Sequence, residues 1–431
     1  MRGGRGRHEM SLAAPTPAVF DLALPGMQLE AGARLDRHGV RGWWWGPASE
    51  LDALRAAAGP LTLHESAEGW YSVVRRSRDT GSESRPGDAG LGAGVPTVLL
   101  VHALTGDMRA GGPGGWWEPV IGPGRALDPG RCRILCFNNL GSCYGTTGPA
   151  DSGFPTREQD RRFAAASPAG KGAFAVPDGL LPATVTTWDM ARSILLALDA
   201  LHVGRVDLVA GGSLGGMVAL CLAALAPERF QRLATFGATK RASPWQIGWN
   251  HLGRQAILAD PGFPHSVGPG LALARAIGHM TYRAPAGIEQ RQARRMAQDA
   301  ASRDDATWSS RRNYAVESYL HHQGSKLLGR FDAASYLVQI GAMDHHDLDR
   351  WPGVGVGVAR ITASTLAVGI DSDVLFPPEE MRRLADELRG LGRAARFEML
   401  TSAHGHDAFL IEWDQVGKLL SAALDLPAPG M

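Results

Sequence analysis

The sequence predicts an α/β protein: a mostly parallel, doubly wound sheet interrupted by one helical insertion. Short β-rich runs alternate with helical periodicity along most of the chain, the pattern that builds parallel sheets with helices on both faces. Most of these runs are continuously apolar, as strands covered on both sides must be. Between about Ser243 and Pro352 the strand signal disappears into an Arg- and His-rich stretch with several helical patterns, and it resumes at Ile361. These observations predict a disordered tail over residues 1–18, a core over 19–242 and 353–431, and a helical lid over 243–352.

Taken in order, MRGGRGRHEM is basic and has no apolar stretch behind it, so it reads as a tail rather than a secretory signal. Trp43, Trp44 and Trp45 read as a packing element. Strands are predicted at 70–77 (WYSVVRRS), 97–102 (TVLLVH), 132–138 (CRILCFN), 206–210 (VDLVA), 232–238 (RLATFGA), 364–370 (STLAVGI) and 395–400 (ARFEML). Asp189 to Val203 carries Met190, Ile194, Leu198 and Leu201 at helical spacing. Pro378 to Gly390 opens with acids, repeats Met381, Leu384 and Leu388, and stops at Gly. Residues 77–95 and 149–182 read as long loops.

Composition narrows the function. Lys and Arg total 44 against 43 Asp and Glu in 431 residues, which is no footprint for a nucleic acid or an anionic membrane surface. The apolar runs are too short to span a bilayer. The four cysteines lie in apolar or Gly-rich surroundings and read as reduced thiols of a cytoplasmic protein.

The chemistry begins at VDLVAGGSLGGMVALCLAALA, where Gly211, Gly212, Ser213, Leu214 and Gly215 form a GxSxG pentapeptide between a strand and an apolar helix. Such an elbow lifts a serine hydroxyl above the strand ends, and its strained turn needs small neighbours. A serine requires a base, and the base an orienting carboxylate, following in the order Ser, acid, His. Asp371 and Asp373 leave the strand STLAVGI, and His404 and His406 follow the last strand. Spacing does not choose within either pair. The oxyanion needs two backbone donors. Leu214 supplies one by position, and the turn HALTGD after a buried strand points to Leu104 for the other.

Read together, HALTGD (102–107), GGWWEPVIGPGRALD (114–128), FNNLGSCYGTTGP (137–149), GGSLGGM (211–217), FDAASYL (331–337), SDVLFPPE (372–379) and GHDAFL (405–410) resemble the homoserine O-acetyltransferases of the MetX type. That resemblance implies the α/β-hydrolase fold with a helical lid, a triad of Ser213, Asp373 and His406, and no metal. It implies acetyl-CoA as co-substrate with no permanently bound cofactor, L-homoserine as acceptor in methionine biosynthesis, and a homodimer formed through the lid helices. In GLALARAIGHMTYR, Arg275 and Tyr282 stand seven apart on one helix face. Arg275 would clamp the acceptor carboxylate and Asp407 its ammonium, with Thr105 also at the acceptor. The loop DPGFPHSVGPG (260–270) departs from the family pattern, leaving L-serine as an alternative acceptor and an esterase as the alternative reaction; homoserine O-succinyl transfer is a further alternative on the same scaffold. SDVLFPP resembles acetyl-using members.

Three other clusters read as structural. AMDHHDLD (342–349) and His321-His322 are expected to be polar faces of lid helices rather than metal sites, and 290–305 a solvated lid helix.

Overall fold

The computed structural model describes residues 17–46, 62–65, 71–76, 83–84, 95–161, 176–297, 314–350 and 357–429. Its eight-stranded sheet comprises β1 (Ala18–Gln28), β2 (Arg34–Trp45), β3 (Thr97–Val101), β4 (Arg133–Phe137), β5 (Leu208–Gly212), β6 (Arg232–Phe236), β7 (Ser364–Ile370) and β8 (Ala395–Leu400). The spatial order is β1-β2-β4-β3-β5-β6-β7-β8. From β4 through β8 every neighbouring pair is parallel, whereas β2 runs antiparallel to both β1 and β4.

The six later strands fall where the sequence predicts them. The first two were not anticipated. In β1 Phe20, Leu22 and Leu24 are buried, with Val19, Asp21 and Ala23 facing out, and Gly26 and Met27 are buried beyond Pro25; β2 carries it into the sheet through Gly42–Trp45 on β4. Trp43, Trp44 and Trp45 are all buried, because this end of β2 is covered on both faces and flanked on both edges. The strand expected at 70–77 is a short strand, Tyr71–Arg76, but it belongs to a separate three-stranded sheet with Thr62–Glu65 and Glu83–Ser84. Residues 1–16 of the expected tail lie outside the described residues, and β1 already begins at Ala18, inside that stretch. Most of the 77–95 loop and residues 162–175 of the 149–182 loop also lie outside them.

Each face of the sheet has its own core. On one side α1 (Thr187–Ala200) and α2 (Leu214–Leu225) pack against Leu99, Val101, Leu135 and Phe137. The longer helices between β6 and β7 come next in the chain: α3 (Pro244–Leu258), α4 (Pro269–Tyr282), α5 (Pro285–Gln292), α6 (Ala315–Leu328) and α7 (Ala333–Asp344). Among them Ile257, Leu271, Leu327, Tyr336 and Ile340 form a third core. Then α8 (Pro378–Gly390) joins the first face, and α9 (Trp413–Leu424) covers the second with Val416, Leu420 and Ala423. Because the insertion departs from the C-terminal end of β6, it stands at the strand edge where open α/β sheets bind ligands. No helix among the described residues is long and apolar enough to cross a membrane.

Two expectations within the insertion are corrected. The helix expected over 290–305 stops at Gln292, and residues 298–305 lie outside the described set. The AMDHHDLD stretch is not one polar helix face: α7 ends at Asp344, and His346 is buried, hydrogen-bonded to Thr187 Oγ1 at 2.9 Å and to the Thr239 carbonyl at 2.9 Å. His321 and His322 are exposed on α6.

Candidate active site

Ser213 occupies the turn from β5 to α2 with φ 54° and ψ −126°, a conformation that costs a non-glycine residue on the order of 1–3 kcal/mol. The surroundings impose it. The Ser213 N–H donates to the Phe236 carbonyl on β6 at 2.8 Å, and its own carbonyl accepts from Met217 at 3.0 Å. The glycines are required by contact: a Cβ at Gly215 would overlap the Val101 carbonyl oxygen, and one at Gly211 would lie 2.5 Å from the Gly215 carbonyl carbon. The pentapeptide therefore lets α2 start hard against β3, leaving the serine side chain at the strand ends.

Asp373 and His406 meet although 33 residues separate them. Asp373 Oδ2 lies 2.6 Å from His406 Nδ1, while Oδ1 accepts the N–H groups of Leu375 (2.9 Å) and Phe376 (2.8 Å). The imidazole stacks on Phe376 at 4.5 Å between centroids. Burial alone would push the His406 pKa down, but the charge and hydrogen bond of Asp373, with the more distant charge of Asp407, leave it raised. Asp371 instead caps Ser402 through its N–H at 2.9 Å, and His404 faces Arg291. The geometry thus pairs Asp373 with His406.

His406 Nε2 is buried and has no hydrogen-bond partner among the described residues, and the Ser213 hydroxyl likewise makes no hydrogen bond there. Both line one cavity of about 490 Å³. Catalytic hydrogen bonds of this kind are often long in ligand-free enzymes and tighten in the complex with substrate.

The HALTGD turn, expected to supply an oxyanion donor, is built from carbonyls outward. The Ala103 carbonyl accepts from Gly106 N–H at 2.9 Å and contacts His102 Nδ1 at 2.9 Å. His102 Nε2 accepts the Asn139 N–H at 3.0 Å, which fixes the proton on Nδ1, and burial lowers its pKa so that it stays neutral. Across a planar trans peptide the N–H points opposite to the carbonyl, so the Leu104 N–H faces away from this tether. Neither the Leu104 N–H nor the Leu214 N–H is engaged by another described residue. Thr105 follows at φ 60°.

The cavity wall brings Leu104 and Thr105 together with Arg275 and Tyr282 from α4, and with Asp407 beside His406. Arg275 places its guanidinium carbon 5.7 Å from the Tyr282 ring centroid, and the ring lies 6.3 Å from that of His406. Burial pushes the Tyr282 hydroxyl well above its usual pKa, so it remains a neutral donor. Asp407 is ion-paired with Arg283 at 3.2 Å, and Asp107 with Arg109 at 2.7 Å. Arg275, Lys326 and Arg330, which also line the cavity, have no carboxylate partner among the described residues. The cavity therefore favours an anionic ligand.

Sequence reasoning missed His102, Arg283 and Arg330. The first opens the HALTGD stretch and the last immediately precedes FDAASYL, so both lay at the margins of visible motifs.

A serine on a strained strand-to-helix elbow, an Asp–His pair from the last two strand ends and a helical insertion above them define an α/β hydrolase, and residues 96–412 match the family model for the alpha/beta hydrolase fold. Within that class, homoserine O-acetyltransferase from Thermus thermophilus is 40% identical over 350 residues, covering 76% of this chain and 81% of the relative. The corresponding protein from Clavibacter michiganensis is 35% identical over 415 residues, covering 91% and 98%. The chain belongs to the homoserine O-acetyltransferase family. The crystal structure of homoserine O-acetyltransferase from Bacillus anthracis shares the fold with a TM-score of 0.70 at 17% identity, covering 96% of this chain and 99% of that one. An acetylester hydrolase from Corynebacterium glutamicum also shares it, with a TM-score of 0.65 at 16% identity over 95% and 96%.

Proposed function

We propose that the chain transfers an acetyl group from acetyl-CoA to the side-chain hydroxyl of L-homoserine, a step of methionine biosynthesis, through an acyl-enzyme on Ser213. The observation that carries this reading is the convergence, in one cavity, of Ser213, His406 backed by buried Asp373, and Arg275 without a carboxylate partner.

In the first half-reaction His406 Nε2 takes the Ser213 proton as Oγ attacks the thioester carbonyl. The resulting oxyanion is held by the N–H groups of Leu104 and Leu214, and the carbon–sulfur bond breaks as the thiolate takes the proton from His406. Asp373 keeps Nε2 unprotonated at the start and stabilises the imidazolium that forms. In the second half-reaction homoserine enters with its carboxylate on Arg275 and its ammonium near Asp407. His406 removes its hydroxyl proton, the new ester forms, and Ser213 leaves with that proton restored. Thr105 and Tyr282 bound the acceptor. Arg275 suits a carboxylate because its planar fork donates two parallel hydrogen bonds. The Asp407–Arg283 pair leaves Asp407 one oxygen for the ammonium. The lid keeps water from the acyl-enzyme.

The reading includes a homodimer through the lid helices, a cytoplasmic location, and no metal or permanently bound cofactor. Product analysis tests it. Acetyl-CoA with L-homoserine should yield O-acetylhomoserine much faster than thiol release without acceptor. Equal thiol release with and without the amino acid would identify a hydrolase, and preference for L-serine or succinyl-CoA would reassign the substrate.

A further inference from the structure

Thr105, the residue after the Leu104 donor, holds a left-handed backbone conformation without being glycine, so some contact must keep it there. That contact comes from the lid. Arg330 Nη1 donates to the Thr105 carbonyl at 2.5 Å and to the Tyr144 hydroxyl at 2.9 Å, and Nη2 approaches Thr105 Oγ1 at 3.4 Å. All of these partners are neutral.

Arg330 is itself fixed. It sits in the turn from α6 to α7, where its N–H donates to the Leu327 carbonyl at 2.9 Å. The adjoining Phe331 ring packs edge-on against Tyr144 at 5.8 Å, and Asp332 caps α7 through the Ser335 N–H at 2.7 Å. The guanidinium is thus anchored to the lid at one end and to the oxyanion turn at the other.

The connection to the reacting oxygen runs through peptide planes. Arg330 fixes the carbonyl of the Thr105–Gly106 peptide; the N–H of that peptide tethers the Ala103 carbonyl; and the Ala103–Leu104 peptide presents its N–H on the opposite side. Rotation at Thr105 would release the second tether and swing the Leu104 donor. We infer that Arg330 is a positioning residue that holds the Leu104 amide in the oxyanion hole and makes that hole depend on the seating of the lid.

The inference rests on the acyl-enzyme reading above, and its test separates the two. Pre-steady-state acylation by p-nitrophenyl acetate is followed for the wild type, Arg330→Met and Arg330→Lys, and discharge of the acyl-enzyme by homoserine is measured in the same samples. Because both half-reactions use the hole, both rates should fall together by up to about 10²-fold in the Met variant, with the KM for homoserine unchanged. The Lys variant keeps the charge but not the fork and should be nearly as slow. Added guanidinium should partly restore the Met variant, a response that general destabilisation would not give. Near-UV circular dichroism establishes that the variants are folded. Wild-type acylation rates in both variants would overturn the inference, as would a raised homoserine KM with normal acylation, which would make Arg330 an acceptor contact. A wild type that forms no acyl-enzyme would overturn the functional reading itself.

Discussion

Replacing Asp373 by Asn tests the site more sharply than removing the side chain, because the structure dictates how the amide must orient. Oδ1 of Asp373 accepts two backbone N–H groups, from Leu375 and Phe376, and Oδ2 faces His406 Nδ1 at 2.6 Å. Asparagine has one acceptor oxygen, and two buried N–H donors claim it, since leaving a buried donor unpaired costs about 1–3 kcal/mol each. The amide NH2 must then face His406 Nδ1, which becomes an acceptor, and the proton moves to Nε2. That tautomer cannot take the proton of Ser213. Acyl-enzyme formation should fall by about 10⁴-fold, as loss of the correct tautomer does in serine hydrolases. The fold keeps both backbone hydrogen bonds, so the thermal midpoint should change little. Rapid-quench thiol release from acetyl-CoA, alongside thermal melting, is the assay. A loss smaller than about tenfold would refute the assignment of Asp373 as the orienting carboxylate, and a collapse of the melting temperature would refute the argument that the amide fits.

The remaining predictions concern pH, acceptor binding, the elbow and the oxyanion turn. His406 must be neutral to act, and its pKa is raised chiefly by Asp373 against the opposing effect of burial; kcat/KM should therefore rise with pH along a limb centred above the ordinary histidine value of about 6.5. In Asp373→Asn burial is opposed only by the more distant charge of Asp407, so the residual activity should show that limb at lower pH than in the wild type. Arg275→Lys loses the bidentate fork, and the KM for homoserine should rise by about tenfold while acylation is unaffected; steady-state and single-turnover kinetics separate the two. Gly215→Ala forces a methyl group into the Val101 carbonyl and should destabilise the fold by about 1–3 kcal/mol or prevent folding, read by urea denaturation. His102→Phe keeps a ring but leaves the Asn139 N–H without its acceptor and the Ala103 carbonyl held by the Gly106 N–H alone, and should slow acylation by about 10–10²-fold with no effect on homoserine KM.

How much of this was legible in the sequence depended on the range of the interaction. The parallel strands and the elbow announce themselves locally, because double-sided burial makes β3 to β7 largely apolar and the strained turn demands glycines at 211 and 215. The antiparallel β1 and β2 were harder to read. In β1 the outward positions 19 and 23 are Val and Ala, which blurs the alternation, and Pro25 argues against a strand interior. In β2 charged residues dominate until Gly42, after which three tryptophans follow in a row because both faces are covered. Local spacing left Asp371 and Asp373 equivalent, and His404 and His406 likewise; only the fold brings one member of each pair together. The Leu104 position could be placed from its strand, but His102, Asn139 and Arg330, which fix its orientation, are joined by contacts across 37 to 225 residues. No periodicity records such contacts.

The central claim is that Ser213 carries the acetyl group between donor and acceptor. Intact-mass and peptide mass spectrometry after mixing with acetyl-CoA alone should find one acetyl group, on the peptide containing Ser213, discharged as O-acetylhomoserine when homoserine is added. Turnover with Ser213 unmodified at every time point, or full activity in Ser213→Ala, would contradict it.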